Sequence, residues 1–370
     1  MKYNFYIRYS NENKKQHSSP SQHYCHSQLV RGILYRYNKI YKAVPSQKER
    51  LFCFCQFKRN NIKDKQTEKQ TIMYYNSDTI IYYNGDFVKA TEATTNLYGQ
   101  SLHYGYAVFE GIKSYKTDYG TQIFKVREHY DRLRRSAEMM YIPFDYTTDQ
   151  LIAITEELLE RNGYSNAYIR PLIFCSPNMS LSRGKESYLA IEAWEWSNGY
   201  LSGSQRIVTS SFERPNPKAF RIEAKASGHY VNSILACEEA RHKGYDEALL
   251  LDANGYVAES SGANVFFEKD GTLYTPALGS ILPGITRATV IQMCKELDIP
   301  VVEKFFTPEE MRGTDAAFFC GTAAEIIPLE SLDDVPFTKD WESSLCAVIQ
   351  KGYSNLVLGK SLEEFKLQLG

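Results

Sequence analysis

From Thr79 onward the hydrophobic and polar positions fall into short repeating patterns, and before it they do not. TIIYYNGDFVKA is apolar on both sides of Asn84-Gly85, which predicts two strands joined by a tight turn, because both turn residues tolerate positive φ. In EHYDRLRRSAEMMYI, Leu133, Ala137 and Met140 lie on one stripe at helical spacing, and TTDQLIAITEELLERNGY predicts a second helix closed by Gly163. YIRPLIFC and SYLAIEAWEW predict strands. The Gly- and Ser-rich stretch SNGYLSGS then marks an interdomain linker at residues 197–205. A second block follows: a strand in RIVTSSFER, a helix in YVNSILACEEARHKG closed by Gly244, and a hairpin in EALLLDANGYVAE turning at Asn254-Gly255. ANVFFEKDGTLYTPAL predicts another hairpin at Asp270-Gly271, TRATVIQMCKELDI a helix, DAAFFCG a strand, and WESSLCAVIQKGYSNLVLG a last helix. Strands and helices mix in both blocks without strict alternation, so the predicted class is α+β in two domains, residues 73–196 and 206–370.

Composition changes this picture at one end. Residues 1–72 are rich in Asn, Lys, Gln, Ser and Tyr and hold no sustained period. They carry 15 of the 43 Lys and Arg but 4 of the 44 Asp and Glu, leaving a body with 28 basic and 40 acidic side chains. Three readings compete for this basic stretch: a targeting segment, a nucleic-acid arm, or upstream sequence without a function. It is expected to be disordered, with Met73 as the natural start. Cys53 and Cys55 with His17, His23 and His26 do not match a zinc spacing, so no metal is expected. The acidic body argues against a nucleic-acid surface and for small-molecule ligands. Eight scattered cysteines without a disulfide framework point to reduced thiols and a cytoplasmic protein, and no run approaches the ~18 apolar residues of a membrane span.

Four places in the second block concentrate chemistry. In EAKASGHYVNS, Lys225 stands where an extended run gives way to small residues and then a helix, so a flat cofactor could approach the backbone. Taken alone, Lys225 reads as a solvated surface lysine, which most lysines are, and Tyr230 as a core or rim tyrosine. Glu259, after a hairpin strand, is placed for its carboxylate to face a cleft. LPGITR puts Ile285 and Thr286 at a helix N-terminus, where unpaired N–H groups and the dipole favour a phosphate, although an ordinary N-cap fits the same residues. GTAAE offers a second small-residue turn at Thr322 and Ala323.

Glu259 through Arg287, with E-x-x-x-x-N-V-F, Leu273, Thr275, Leu282 and G-I-T-R, resembles the signature of the class IV (fold type IV) aminotransferases. HYGYAVFEGIKSY, YIRPLIF, KASGHYVNS, GYDEALLLDANGYVAE and GTAAEI further resemble the branched-chain aminotransferases of that class. The resemblance spans residues 79–370, with His229 where Asn is usual and Ala263 where Glu is common. It implies a two-domain enzyme, dimeric or larger, that binds pyridoxal 5′-phosphate. By this resemblance Lys225 forms a Schiff base with the pyridoxal aldehyde and serves as the catalytic base. Glu259 faces the pyridine nitrogen, Tyr230 the phenolic oxygen, and Arg132, Thr286, Thr322 and the Ile285 amide the phosphate. Tyr104, Phe109, Tyr168, Trp196, Tyr200, Tyr230, Thr322 and Ala323 are implied around the substrate, with Arg170 meeting the distal carboxylate of glutamate.

The implied reaction is a ping-pong exchange between leucine, isoleucine or valine and 2-oxoglutarate. D-Amino-acid transaminase and aminodeoxychorismate lyase share the lysine and phosphate motifs, but YIRPL and the HYGYAVFEG block favour the branched-chain group. A catalytically silent scaffold conflicts with the intact lysine, glutamate and tyrosine. A nucleic-acid binder working through the basic stretch would instead show binding that weakens steeply with salt.

Overall fold

Two sheets account for the strand patterns, and they divide near the segment read as a linker. The computed structural model describes residues 74–196 and 203–369. The stretch 1–72, with its cysteine and histidine candidates, therefore lies outside the described residues, as do residues 197–202 of the expected linker.

The first sheet contains β1 (Ile80–Tyr83), β2 (Asp86–Lys89), β3 (Ala107–Phe109), β4 (Ile112–Thr117), β5 (Gly120–Ile123), β6 (Ala167–Cys175) and β7 (Ser187–Glu195). Its order is β2-β1-β7-β6-β4-β5, with β3 also paired to β6, and every pairing is antiparallel. The β1–β2 turn falls on Asn84 (φ 50°) and Gly85 (φ 112°). The chain also forms the short α1 (Gln100–Tyr104) and the longer α2 (Val126–Met139) and α3 (Thr148–Asn162). A capping box between Thr147 and Gln150 starts α3, and Gly163 ends it in the left-handed region at φ 69°. Tyr130, Leu133 and Ala137 of α2 and Leu151 and Leu158 of α3 bury themselves against Ile169, Ile173 and Ile191. Because strand side chains alternate, Tyr168 and Arg170 of β6 leave the opposite face. That uncovered face forms a wall of the site.

The second sheet contains β8 (Gln205–Glu213), β9 (Glu247–Leu251), β10 (Val257–Ser260), β11 (Asn264–Lys269), β12 (Thr272–Pro276), β13 (Val301–Lys304), β14 (Ala316–Gly321), β15 (Glu325–Leu332) and β16 (Val335–Pro336). The order is β10-β9-β8-β15-β14-β11-β12-β13, with β16 on β15. It is mixed, with β8 parallel to both β9 and β15 and β12 parallel to β13. The helices here are α4 (Tyr230–His242), α5 (Ile285–Glu296), α6 (Pro308–Met311), α7 (Leu345–Val357) and α8 (Leu362–Leu369). Alternation in β11 divides two cores. Phe266 packs with Phe318 and the residues of α5 and α7, whereas Val265 and Phe267 join Phe306, Phe319 and Leu329 on the other side. Phe266 and Phe318 stack 5.0 Å apart and are fully buried, so truncating either to Ala would cost ~3–5 kcal/mol.

Two expectations change. The helix predicted from Trp341 starts only at Leu345, because Ser344 caps it by accepting from the Ala347 amide (3.1 Å), and Trp341–Ser343 forms a 3₁₀ turn. It is also not the last helix, since α8 follows. The extended run expected before Lys225 is a turn, and only Ala226 bridges to a strand residue, Val108.

Candidate active site

Lys225 is held by its backbone before its side chain is considered. Its N–H donates to Ser136 Oγ of α2 (3.0 Å) and its carbonyl accepts from the Phe109 amide (3.1 Å). Three residues on, Gly228 donates to the Gly105 carbonyl (3.0 Å), and a β-carbon at Gly105 would lie 2.8 Å from the Gly228 α-carbon. Only glycine allows this approach, which locks the lysine turn to the first sheet. The ammonium then projects into a cleft of about 830 Å³, donating to Tyr230 Oη at 2.6 Å and lying 4.9 Å from the Phe109 ring centre.

Glu259 enters the same cleft from β10. A register shift between Val257 and Glu259 marks a bulge, a device that re-aims a side chain. The carboxylate is buried and meets Arg214 (2.8 Å), the Asn264 side-chain amide (2.9 Å) and the Leu282 N–H (3.2 Å). Burial still outweighs Arg214, the Leu282 amide and the more distant Lys225 and Arg132, so the carboxyl is held above the usual carboxylate range. A further positive group at Glu259 would be welcome, and a protonated ring nitrogen is such a group. Sequence reasoning missed Arg214, since a single arginine in SFERPNP carries no periodic or motif signal. Its Nε is buried without a hydrogen-bond partner, as is His229 Nε2. Burial, then the Arg214 charge, pushes His229 down to about 4 and keeps it neutral.

At another end of the cleft, α5 begins at Ile285 with no side-chain cap on Gly284, leaving first-turn amides available for an anion. A β-carbon on Gly284 would sit 1.9 Å from Asn264 Oδ1, so this glycine permits the packing that holds Glu259. Arg132 reaches the same place from α2 and donates to the Pro283 carbonyl (2.9 Å). Its Nε and Nη2 are taken by Glu110 (2.7 and 2.9 Å), which also pairs with His129 Nδ1 (2.7 Å). A guanidinium has five N–H donors, so two remain for a phosphate. Glu110 was not anticipated from sequence. Burial alone would raise its carboxyl, but Arg132 and His129 hold it far below the usual range. Thr286 and Thr322 line this part of the cleft, and Glu325 fixes the Thr322 turn by pairing with Lys113 and accepting from Tyr115 Oη (2.9 Å).

Phe109, Tyr168, Arg170, Trp196 and Ala323 complete the wall. Gly111 leaves room for Tyr168, whose hydroxyl would lie 2.0 Å from a β-carbon there. Tyr104 does not join them. It is exposed at the end of α1, with its hydroxyl on the Met179 carbonyl (3.1 Å), so the implied placement is corrected for this chain's cleft. Tyr200 lies outside the described residues. Among the described residues no cluster of three or more His, Cys, Asp and Glu is placed to hold a metal, and no helix is long and apolar enough to cross a membrane.

The donor set fits pyridoxal 5′-phosphate: a primary amine beside a phenol, a carboxylate short of positive charge, and an uncapped helix terminus beside an arginine. Comparison with known proteins agrees. The profile of the family Amino-transferase class IV matches residues 107–332. The branched-chain-amino-acid aminotransferase of Pseudomonas aeruginosa is 39% identical over 284 residues, covering 75% of this chain and 92% of that protein. Among solved structures, the branched-chain aminotransferase of Thermoproteus uzoniensis with norvaline superposes with a TM-score of 0.74 at 38% identity, over 78% of this chain and 97% of its own. The T.th. branched-chain amino acid aminotransferase complexed with N-(5′-phosphopyridoxyl)-L-glutamate gives 0.72 at 36%, over 77% and 96%.

Proposed function

This chain belongs to the class IV aminotransferases, and we propose that within them it exchanges amino groups between leucine, isoleucine or valine and 2-oxoglutarate, using pyridoxal 5′-phosphate. The observation that carries the proposal is the convergence of Lys225, Tyr230, Glu259 and the α5 terminus on one cleft, where Phe109, Tyr168 and Trp196 form an aromatic wall that also carries Arg170. The related structures hold norvaline in one case and a phosphopyridoxyl adduct of glutamate in another, an apolar and an acidic side chain. A cleft serving both half-reactions must take both kinds in turn.

When bound, pyridoxal phosphate supplies an aldehyde that exchanges amines and a ring that draws electron density from the substrate's Cα. Lys225 would anchor the cofactor through Nζ and, as a free amine, would accept the proton that leaves the substrate's Cα. Tyr230 orients that amine through its 2.6 Å hydrogen bond. Glu259, steadied by Arg214 and Asn264, keeps the ring nitrogen protonated. Arg132, Thr286, Thr322 and the Ile285 amide hold the phosphate. Phe109, Tyr168, Trp196 and Ala323 enclose branched side chains, and Arg170 receives the distal carboxylate of the acidic substrate. Residues 73–196 and 206–370 serve as the two domains that supply the opposite walls. The exposed Leu97, Tyr98, Leu102, Tyr104 and Leu181 form apolar surface suited to a second copy, which supports a homodimer. The five described cysteines are free and buried, in keeping with reduced thiols in the cytoplasm.

Borohydride reduction of the holoenzyme followed by peptide mapping tests the anchor. The pyridoxyl label is expected on Lys225, and a label on another lysine overturns the assignment. L-Leucine should shift the visible spectrum of the wild type, and Lys225→Ala should lose transamination because anchor and base go together.

A further inference from the structure

One charged residue on the cleft wall, Glu192, has no part in the roles above, although it stands beside Arg170, which has one. Arg170 of β6 and Glu192 of β7 are directly opposed in the antiparallel register, so their side chains leave the same face of the sheet, and both line the cleft. Arg170 is tightly set: its guanidinium lies 4.8 Å from the Phe109 ring centre and 5.2 Å from that of Tyr168, and it donates to Tyr168 Oη at 3.1 Å. Its Nε is buried without a hydrogen-bond partner, and among the described residues no carboxylate forms an ion pair with it. Among the same residues the Glu192 carboxylate makes no hydrogen bond or ion pair either. By surface area Glu192 is exposed, yet the surrounding walls push its carboxyl above the usual range while Arg170 pulls the other way. Nearby, Arg241 already pairs with Glu238 at 2.8 Å.

We propose that Glu192 is a specificity-determining residue that acts as the exchangeable counter-ion of Arg170. It pairs with the guanidinium while an apolar side chain occupies the cleft, and the distal carboxylate of a dicarboxylic substrate takes its place. Directly opposed strand residues have β-carbons about 4.5–5.5 Å apart, so side-chain rotation alone brings a glutamate to an arginine. An apolar side chain beside a desolvated, unneutralised guanidinium would be penalised, and Glu192 removes that penalty. The same carboxylate must be displaced by glutamate, so it weakens the acidic substrate while favouring the branched one.

The inference rests on the reading that this cleft takes both substrate types through Arg170, and the test separates the two. L-Leucine and L-glutamate react with the same form of the holoenzyme, so their single-turnover rates are compared across concentration. In Glu192→Gln the half-saturating concentration is expected to fall several-fold for L-glutamate and rise several-fold for L-leucine, with both limiting rates kept. In an Arg170→Ala background the same change should leave L-leucine unaffected, because no cation remains to neutralise. A shift common to both amino acids, or one that persists without Arg170, overturns the proposal, since a structural role would move both. If Arg170→Ala damages glutamate selectively while Glu192→Gln does nothing, the counter-ion role fails alone. If Arg170→Ala damages both amino acids equally, the dual-substrate reading fails and this proposal falls with it.

Discussion

Replacing Glu110 by glutamine should injure this enzyme more than most single substitutions, although Glu110 touches no substrate. The carboxylate is fully buried and accepts from Arg132 Nε (2.7 Å), Arg132 Nη2 (2.9 Å) and His129 Nδ1 (2.7 Å). An amide of the same shape turns its NH₂ toward one of these donors and leaves Arg132 buried without a counter-charge. Breaking a buried ion pair from one side costs ~3–5 kcal/mol, a large part of the ~5–15 kcal/mol that holds a typical domain together. At about 2–4 °C per kcal/mol for a protein near this size, Tm should fall on the order of 10 °C. Arg132 also loses the partner that orients it beside Pro283, so cofactor affinity should weaken about ten-fold or more. The assays are thermal melting of apo and holo protein and titration of the apoenzyme with pyridoxal phosphate. The pH dependence adds a signed check. Glu110 is held below its ordinary value of 4.5, so its contribution is complete above that pH and is lost as pH falls toward the folded value. The stability gap between wild type and Glu110→Gln should therefore be constant near neutrality and shrink in acid. A gap that widens in acid, or a Glu110→Gln protein that melts and binds like the wild type, refutes the reasoning.

Three further outcomes are expected. Glu259→Gln should retain cofactor yet turn over ~10–100-fold more slowly, as expected from a loss of about 1.4–2.7 kcal/mol of charge stabilisation; unchanged kcat in the fully loaded variant would make Glu259 structural. Gly284→Ala should push Asn264 aside, since its β-carbon would lie 1.9 Å from Asn264 Oδ1, and so loosen Glu259; equilibrium dialysis should show weaker cofactor binding, and wild-type affinity would contradict the contact. A chain of residues 73–370 should melt and transaminate like the full sequence, and insolubility or loss of kcat would assign residues 1–72 to the working enzyme.

The sequence showed those parts of the site that local chemistry writes into a short run. Glu259, Asn264, Gly284 and Thr286 fall within one signature, and the hairpin at Asp270-Gly271 follows from residues that accept positive φ (50° and 73°). It did not show groups that meet only through the tertiary fold. Glu110 and Arg132 stand 22 residues apart on the β3–β4 connection and a helix, and Arg214 reaches Glu259 from beyond the end of β8, with no spacing rule to announce either pair. Tyr104 stands outside this chain's own cleft for the complementary reason: its motif fixes its neighbours along the chain but not the direction of the side chain at the end of a five-residue helix. Short strands such as β3 and β16 escaped because so few residues cannot establish a period.

Two buried carboxylates of the site, Glu110 and Glu259, show why the unannounced arginines matter to the chemistry. Both are buried, yet Glu110 is driven below the usual range and Glu259 above it. The difference lies in compensation. Glu110 has a two-pronged guanidinium and an imidazole, so its charge is settled by the protein alone and its task is to aim Arg132. Glu259 has one Arg214 contact and two neutral amide donors, which leaves its negative charge under-compensated. A carboxylate in that condition gains most from a cation that arrives with a ligand, and a ring nitrogen held protonated is what an electron-withdrawing cofactor requires. Adding a second protein cation beside Glu259 would therefore stabilise the apo fold and weaken the reason to bind the cofactor.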